Sequence, residues 1–246
     1  MSIGVDGRST RWDDHRTARR AELVRAARKA VHRLGPAVSM DEIAAAAGTS
    51  KSIVYRYFDD KAGLRLAVAE TVVMQMHDTL RAAAQGADSP EMALREMVRV
   101  YLEMIESSPN VYWFVTRTAI GGNEPAPVES GRRGRRAPAA EEVADAAVPT
   151  TPVDLHPLGA YLDSVIELVA EPFARATDVP PADAAAWAAG AVGFVRGSGE
   201  WWLGHRNVEA SPLTREELTE RVSLWLWTGP VGVLHHNRPG SASVTA

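Results

Sequence analysis

The sequence has no cysteine among its 246 residues, which excludes disulfides, cysteine-ligated zinc and a thiol nucleophile. It also lacks any apolar run near the about 20 residues that a membrane-spanning helix needs, although 46% of its residues are hydrophobic. The first residues are polar and do not resemble a secretory signal. No stretch alternates apolar and polar residues with period two, as a half-buried strand would. We therefore predict an all-α, cytoplasmic protein without a membrane partner.

Motifs of enzymes are missing as well. The seven histidines show no metal-ligand spacing, and no glycine-rich loop is placed to hold a phosphate. Gly197-Ser198-Gly199 lacks the spacer residues of the Gly-x-Ser-x-Gly nucleophile motif. We predict that the protein is not an enzyme and uses neither a metal nor a cofactor. An enzyme remains a competing hypothesis.

Lysine is scarce, with three lysines against 24 arginines, and the net charge is −4. That average conceals a division along the chain. Residues 1–58 hold 11 Lys and Arg against 6 Asp and Glu, whereas residues 59–246 hold 16 against 25. A basic first segment and an acidic remainder indicate one module that faces phosphates and another that faces a different partner.

A helix-turn-helix is predicted within the basic segment, over residues 39–58. Ser39 and Glu42 have the spacing of a capping box, which begins a helix. Gly48 suits the left-handed position that ends it, and Thr49 or Ser50 could cap the next helix. That short second helix would bury one face and leave cations, hydroxyls and phenols outward, a set suited to phosphate oxygens and base edges. Its predicted buried pair is Val54 and Phe58.

Residues 43–50, 54–58 and 60–61, together with Leu64, resemble the N-terminal domain of the tetracycline-repressor (TetR) family of transcriptional regulators. The Tyr-x-Tyr-Phe run, followed by a polar residue, Lys and Leu, is the specific part. Ser52 and the pair Asp59-Asp60 depart from the family's usual residues. The resemblance implies a three-helix DNA-binding domain at residues 16–76 and a helical regulatory and dimerisation domain at residues 77–236.

The resemblance also implies which side chains contact double-stranded DNA. Several lie on or beside the recognition helix, and others would hold phosphates; the alternative for the two tyrosines is half-buried packing. The predicted DNA-binding residues are Ser39, Thr49, Ser50, Lys51, Ser52, Tyr55, Tyr57 and Lys61.

About nine helices are predicted in all. The first covers about residues 13–34, and the fourth to sixth cover about 60–85, 89–107 and 110–120. The last three cover about 155–176, with a break or kink at Pro172, then 182–206 and 214–234. Between the sixth and seventh, residues 121–154 contain several prolines and an arginine cluster, and we predict a flexible loop there.

Small residues four apart on the eighth helix would let another helix approach closely, and tryptophans crowd the last two helices. Through the resemblance, these helices imply a homodimer that binds a near-palindromic operator. The alternative is an intramolecular core. The predicted dimer residues are Ala189, Gly193, Gly197, Trp201 and Trp225.

A pocket for a small-molecule effector is predicted between helices four and eight. Aromatics and methionines with one or two arginines would suit an apolar or amphipathic molecule carrying an acid group, although each residue could instead be core. The predicted pocket residues are Met97, Tyr101, Met104, Trp113, Phe114, Arg117, Tyr161, Trp187, Phe194 and Arg196. The sequence thus predicts a ligand-responsive transcriptional repressor. The competing hypotheses are an enzyme and a DNA-binding protein without ligand control.

Overall fold

Helices make up the protein throughout the part that the computed structural model describes, residues 7–119, 157–177, 179–206 and 213–231. There are nine α-helices in these ranges and no strand, which confirms the predicted all-α fold. Their bounds are α1 Gly7–Leu34, α2 Met40–Ala46, α3 Lys51–Phe58, α4 Lys61–Gln85, α5 Pro90–Ser107, α6 Pro109–Ala119, α7 Pro157–Thr177, α8 Pro181–His205 and α9 Arg215–Leu226. The predicted loop 121–154 lies outside the described residues.

Local residue chemistry explains most helix ends. Ser89 caps α5 by accepting a hydrogen bond from the amide of Met92, and Pro90 occupies the first helical position, where no amide hydrogen is needed. Thr214 and Glu217 form the capping box that begins α9. These starts agree with the sequence predictions.

Two bounds and one interruption differ from the predictions. The first helix begins at Gly7, because no proline interrupts the chain between that residue and the amphipathic segment. Helix α7 continues through the buried Pro172, so of the predicted break or kink the break is absent. Helix α9 ends at Leu226 and passes into a π-helical turn, Trp227–Val231. Pro230 explains this early end, because proline has no amide hydrogen for the bond that an α-helix would need at that position.

Two apolar cores hold the helices together. The first, which we call the head core, joins α1 to α4 around Leu23, Ile43 and Val54. Val111, Phe114 and Val115 of α6 also belong to it, so one helix of the C-terminal half is packed into the head. The second, the body core, joins α4, α5 and α7 to α9 around Leu102, Phe173 and Leu226. No helix in the described ranges combines the length and apolarity needed to cross a membrane.

Candidate nucleic-acid interface and effector cavity

The helix-turn-helix is closed at both ends of α2 by the interactions that its sequence predicts. The amide of Ser39 donates to Glu42 Oε2 at 2.8 Å, and the amide of Glu42 donates to Ser39 Oγ at 3.3 Å. The Ser39 amide and hydroxyl both donate to the Glu42 carboxylate, and these two bonds lower the pKa of Glu42. Gly48 has φ +59°, and the amides of Gly48 and Thr49 bond to the carbonyls of Ala45 and Ala44. This pair of hydrogen bonds is the Schellman motif that ends a helix, and it sets the angle between α2 and α3.

Helix α3 presents a polar face outward. Val54 and Phe58 are buried in the head core, while Lys51, Ser52 and Tyr55 are exposed. Tyr57 is half-buried beside Phe58, and the Arg56 guanidinium lies 5.9 Å from its ring centroid. The two tyrosines therefore differ: Tyr55 projects towards solvent, whereas Tyr57 keeps part of its ring in packing.

Three of the predicted DNA-binding residues, Lys51, Ser50 and Ser52, already have partners within the head. Lys51 Nζ donates to Asp41 Oδ2 at 2.8 Å, which links α3 to α2 and raises the pKa of Lys51. Ser50 begins α3 without a side-chain cap bond, and its Oγ lies 3.0 Å from Ser52 Oγ. Thr49 is half-buried, as is Lys61. A phosphate that engages Lys51 must compete with Asp41.

The junction between α3 and α4 depends on a capping aspartate and on Gly63, whose role the sequence analysis missed. Asp59 has φ +60°, and Asp60 Oδ1 accepts a hydrogen bond from the amide of Gly63 at 2.7 Å. A Cβ built on Gly63 would lie 2.2 Å from the carbonyl oxygen of Phe58. Only glycine therefore allows α4 to begin so close to the end of α3. The signal available in the sequence was a glycine three residues after a capping aspartate.

A cavity of about 170 Å³ lies between the helices of the body core and those of the head core. Its wall is almost entirely apolar and receives side chains from all of the helices α4 to α9. Of the predicted pocket residues, Met97, Tyr101 and Arg196 line it. Val72, Val73 and Val115 line it too, and all three are packed in or against the head core.

The other predicted pocket residues lie elsewhere. Met104 and Trp113 pack against the body core, and Phe114 is fully buried in the head core. Phe194 packs on Trp225, with ring centroids 4.1 Å apart, and Trp187 is exposed. The side chains of Arg117 and Tyr161 lie outside the described residues.

Hydroxyl groups form a short relay at the cavity, another feature that the sequence analysis missed. Tyr112 donates to Glu200 Oε1 at 2.7 Å, and the Tyr101 and Tyr112 hydroxyl oxygens are 3.1 Å apart. Burial raises the pKa of Tyr101 to about 12 and that of Tyr112 further, so both stay protonated at neutral pH. Gly199 makes room for this arrangement, since a Cβ there would lie 3.1 Å from the Tyr101 ring.

One stripe of α8 is exposed, and it carries the predicted dimer residues of that helix. Ala189, Gly193 and Gly197 are open to solvent, and a Cβ on either glycine would meet nothing within 4 Å. Trp201 continues the stripe and is 50% exposed. On α9, Leu224 and Trp225 are 62% and 49% exposed. The structure thus gathers small residues and large apolar side chains on one outer face.

Comparison with known proteins agrees with this architecture. The family model described as "Bacterial regulatory proteins, tetR family" matches residues 23–68. A second model, "Tetracyclin repressor-like, C-terminal domain", matches residues 79–241, which is more than half of the chain. The chain belongs to the TetR family. It is a transcriptional regulator with a helix-turn-helix DNA-binding domain, a non-enzymatic role.

Individual relatives cover less of the chain. An uncharacterised HTH-type transcriptional regulator of Mycobacterium tuberculosis is 41% identical over 116 residues, 47% of this chain and 50% of that protein. The HTH-type transcriptional activator FasR of Mycolicibacterium smegmatis is 35% identical over 98 residues, 39% of this chain and 45% of that protein. The chain spans about half the length of the curated relatives that it matches.

Solved TetR-type structures share the fold at lower identity. A TetR-family regulator of Pectobacterium atrosepticum superposes with a TM-score of 0.60 at 22% identity, covering 87% of this chain and 94% of that one. The fatty acid degradation regulator FadR of Bacillus halodurans gives a TM-score of 0.56 at 14% identity, covering 86% and 95%.

Proposed function

We propose that this TetR-family protein acts in the cytoplasm as a homodimeric repressor, that it binds a near-palindromic operator, and that a small apolar or amphipathic effector releases it. The observation that carries the proposal is the outward face of α3. It places Lys51, Ser52 and Tyr55 in solvent at the start of a helix whose other face is anchored in the head core. Such a helix fits the major groove, and its first residues reach base edges.

The eight predicted contact residues remain our proposed DNA interface, in two groups. Lys51, Ser52 and Tyr55, the exposed residues of α3, are suited to base edges and nearby phosphates, as are Thr49 and Ser50 just before the helix. The second group is suited to the phosphate backbone: Ser39 and Lys61, on either side of that helix, and Tyr57 near its end. The hydroxyl proton of Ser39 is already directed to Glu42 Oε2 at 2.7 Å, so its oxygen would accept rather than donate. We therefore expect Ser39 to contribute less than Lys51.

The homodimer is supported by the outer face of α8 and α9. Leu224, Trp201 and Trp225 are each about half or more exposed, which is unusual for side chains that gain so much by burial. The open glycines beside them would let a second copy's helix approach to backbone contact. Pairing this face about a two-fold axis would place two recognition helices on half-sites about 34–36 Å apart, or a multiple of that spacing.

Effector control is supported by the position of the cavity. Because Val72, Val73 and Val115 serve both the cavity wall and the head, a molecule that enters the cavity acts directly on the packing of the DNA-binding domain. A ligand that prefers a head arrangement unsuited to DNA would empty the operator by population shift. Activation is the second candidate mode, favoured by the relative FasR, which is named an activator.

The test is a pull-down of genomic fragments with purified protein at physiological salt, followed by footprinting of the enriched DNA. We expect a protected near-palindrome beside a promoter, and loss of protection in Lys51→Ala combined with Tyr57→Phe, which keeps the packed ring. Lys29→Ala, an exposed lysine of α1, is the matched control. Binding without an enriched sequence would contradict the proposal. A promoter fused to a reporter then separates repression from activation.

A further inference from the structure

The effector cavity has few polar groups, and their hydrogen-bonding directions are already determined. Among the described side chains of its wall, the hydroxyls belong to Tyr101, Tyr112 and Thr116. The Tyr112 hydroxyl donates its proton in a hydrogen bond to the Glu200 carboxylate, which can only accept. Tyr101 must then donate to Tyr112, because the Tyr112 proton is committed. Thr116 donates to the backbone carbonyl of Tyr112 at 3.0 Å.

Each of these hydroxyls therefore offers lone pairs but no proton. A ligand group that can only accept, such as an ether oxygen, would find no hydroxyl donor in this wall. A ligand hydroxyl would donate to one of these oxygens and regain the hydrogen bond that it loses on leaving water. Among the described side chains of the wall, the hydroxyls therefore favour a ligand that donates a hydrogen bond, and the remaining polar group is the half-exposed Arg196 guanidinium.

Charge at the cavity disfavours an acidic ligand. Arg196, the cation among the described wall residues, is 44% exposed, and its Nε lies 3.8 Å from Glu200 Oε1. The Glu200 side chain is 23% exposed, so its negative charge lies beside the place where an incoming carboxylate would pair with Arg196. A carboxylate bound there would be attracted by Arg196 and repelled by Glu200, whereas a neutral hydroxyl group meets no such repulsion.

Size adds a second constraint. An apolar cavity of about 150 Å³ binds benzene. The cavity here, at about 170 Å³, has room for an apolar body of about six to eight carbons.

We propose that the effector is a compact apolar molecule with a neutral hydroxyl group, an alcohol or phenol rather than a carboxylic acid. This rests on the proposed function, because it assigns a ligand class to the proposed effector cavity. It differs from the acid-bearing molecule that the sequence predicts, and the difference comes from the Tyr101–Tyr112–Glu200 relay.

Three probes of nearly equal size test the proposal by calorimetry on the full chain: 1-octanol, its isomer heptyl methyl ether, and octanoate. We expect 1-octanol to bind at least about 10-fold more tightly than either of the others, the ratio that one satisfied hydrogen bond supplies. Equal or tighter binding of octanoate or the ether overturns the proposal, as does no binding of any probe. This comparison needs no variant.

Tyr112→Phe then tests the relay itself, with thermal melting as the check on folding. Without its acceptor, the Tyr101 proton becomes free to donate, so the preference for 1-octanol should fall to about 3-fold or less. An unchanged preference in a folded variant overturns the relay argument. An operator gel shift without probes is run on the wild-type protein. Absence of DNA binding by a wild-type protein that shows the 1-octanol preference contradicts the proposed function and not the ligand class.

Discussion

The exposed glycines of α8 provide a test of the dimer, because replacing them should stabilise the single protomer but weaken the association of two protomers. Gly193 and Gly197 lie on the exposed stripe, where an added Cβ meets nothing within 4 Å of its own protomer. Replacing both by alanine should stabilise a lone protomer, since alanine is about 1 kcal/mol better than glycine inside a helix, or about 2 kcal/mol for the pair.

Close helix packing across a two-fold axis would make the same change unfavourable for association. The helix-propensity gain of alanine is the same in the folded protomer and in the dimer, so it does not change the dissociation constant of the dimer. Only contacts of the new methyl groups with the second protomer change that constant. Two substitutions appear in each protomer, and an overpacked methyl costs at least about 1 kcal/mol. The dimer should weaken by about 4 kcal/mol, which raises its Kd about 1,000-fold.

Sedimentation equilibrium over a concentration series measures that Kd, and circular dichroism reports folding in the same samples. Gly86→Ala is the matched control, because Gly86 ends α4 with ordinary helical φ and lies away from α8. It should leave the dimer constant unchanged. A double variant that dimerises as tightly as the wild type would refute close packing of the α8 stripe.

Three further outcomes are expected. Asp41→Ala should raise operator affinity several-fold in a gel shift, because it frees Lys51 and removes a negative charge near DNA; weaker binding would mean that the ion pair orients α3 for DNA contact. Gly63→Ala should lower the free energy of unfolding by about 1–3 kcal/mol in urea titrations and weaken operator binding, because its Cβ meets the Phe58 carbonyl, whereas Gly86→Ala should do neither. Stability should fall as pH rises from about 10 to 12, since Tyr101 ionises near pH 10 only when unfolded. The slope due to Tyr101 is about 1.4 kcal/mol per pH unit, and Tyr101→Phe should remove that contribution.

Features set by neighbouring residues were predictable from the sequence. The Ser39–Glu42 capping box and the left-handed Gly48 depend on residues three or four apart, and both are confirmed. The outward face of α3 follows from the spacing of its two buried residues, Val54 and Phe58. The helix-turn-helix is therefore visible in the order of residues alone.

Features that depend on contacts between helices were not. Gly63 is required by the approach of α4 to the end of α3, a distance that no local pattern contains. Periodicity assigns α6 an apolar face but not a partner, and its residues Val111 and Phe114 lie in the head core rather than the body. The direction of the Tyr101–Tyr112 hydrogen bond is decided by Glu200, from a third helix.

The shared valines have a consequence for how an effector signal reaches DNA. In many two-domain switches a separate rigid element must carry the change, but here the wall of the cavity is part of the head's packing. Interiors are packed as densely as organic crystals, so the head cannot absorb a displaced valine without shifting a neighbour. Val115 lies one residue before Thr116 and three after Tyr112, so α6 carries both the polar groups that would hold a ligand and a side chain of the head core. Asn110 of the same helix bonds to the His32 carbonyl of α1 at 3.0 Å. Under the proposed function, the groups that recognise the ligand and those that respond in the head would lie on one helix of 11 residues. A substitution that raises the affinity for the ligand should then alter operator affinity as well.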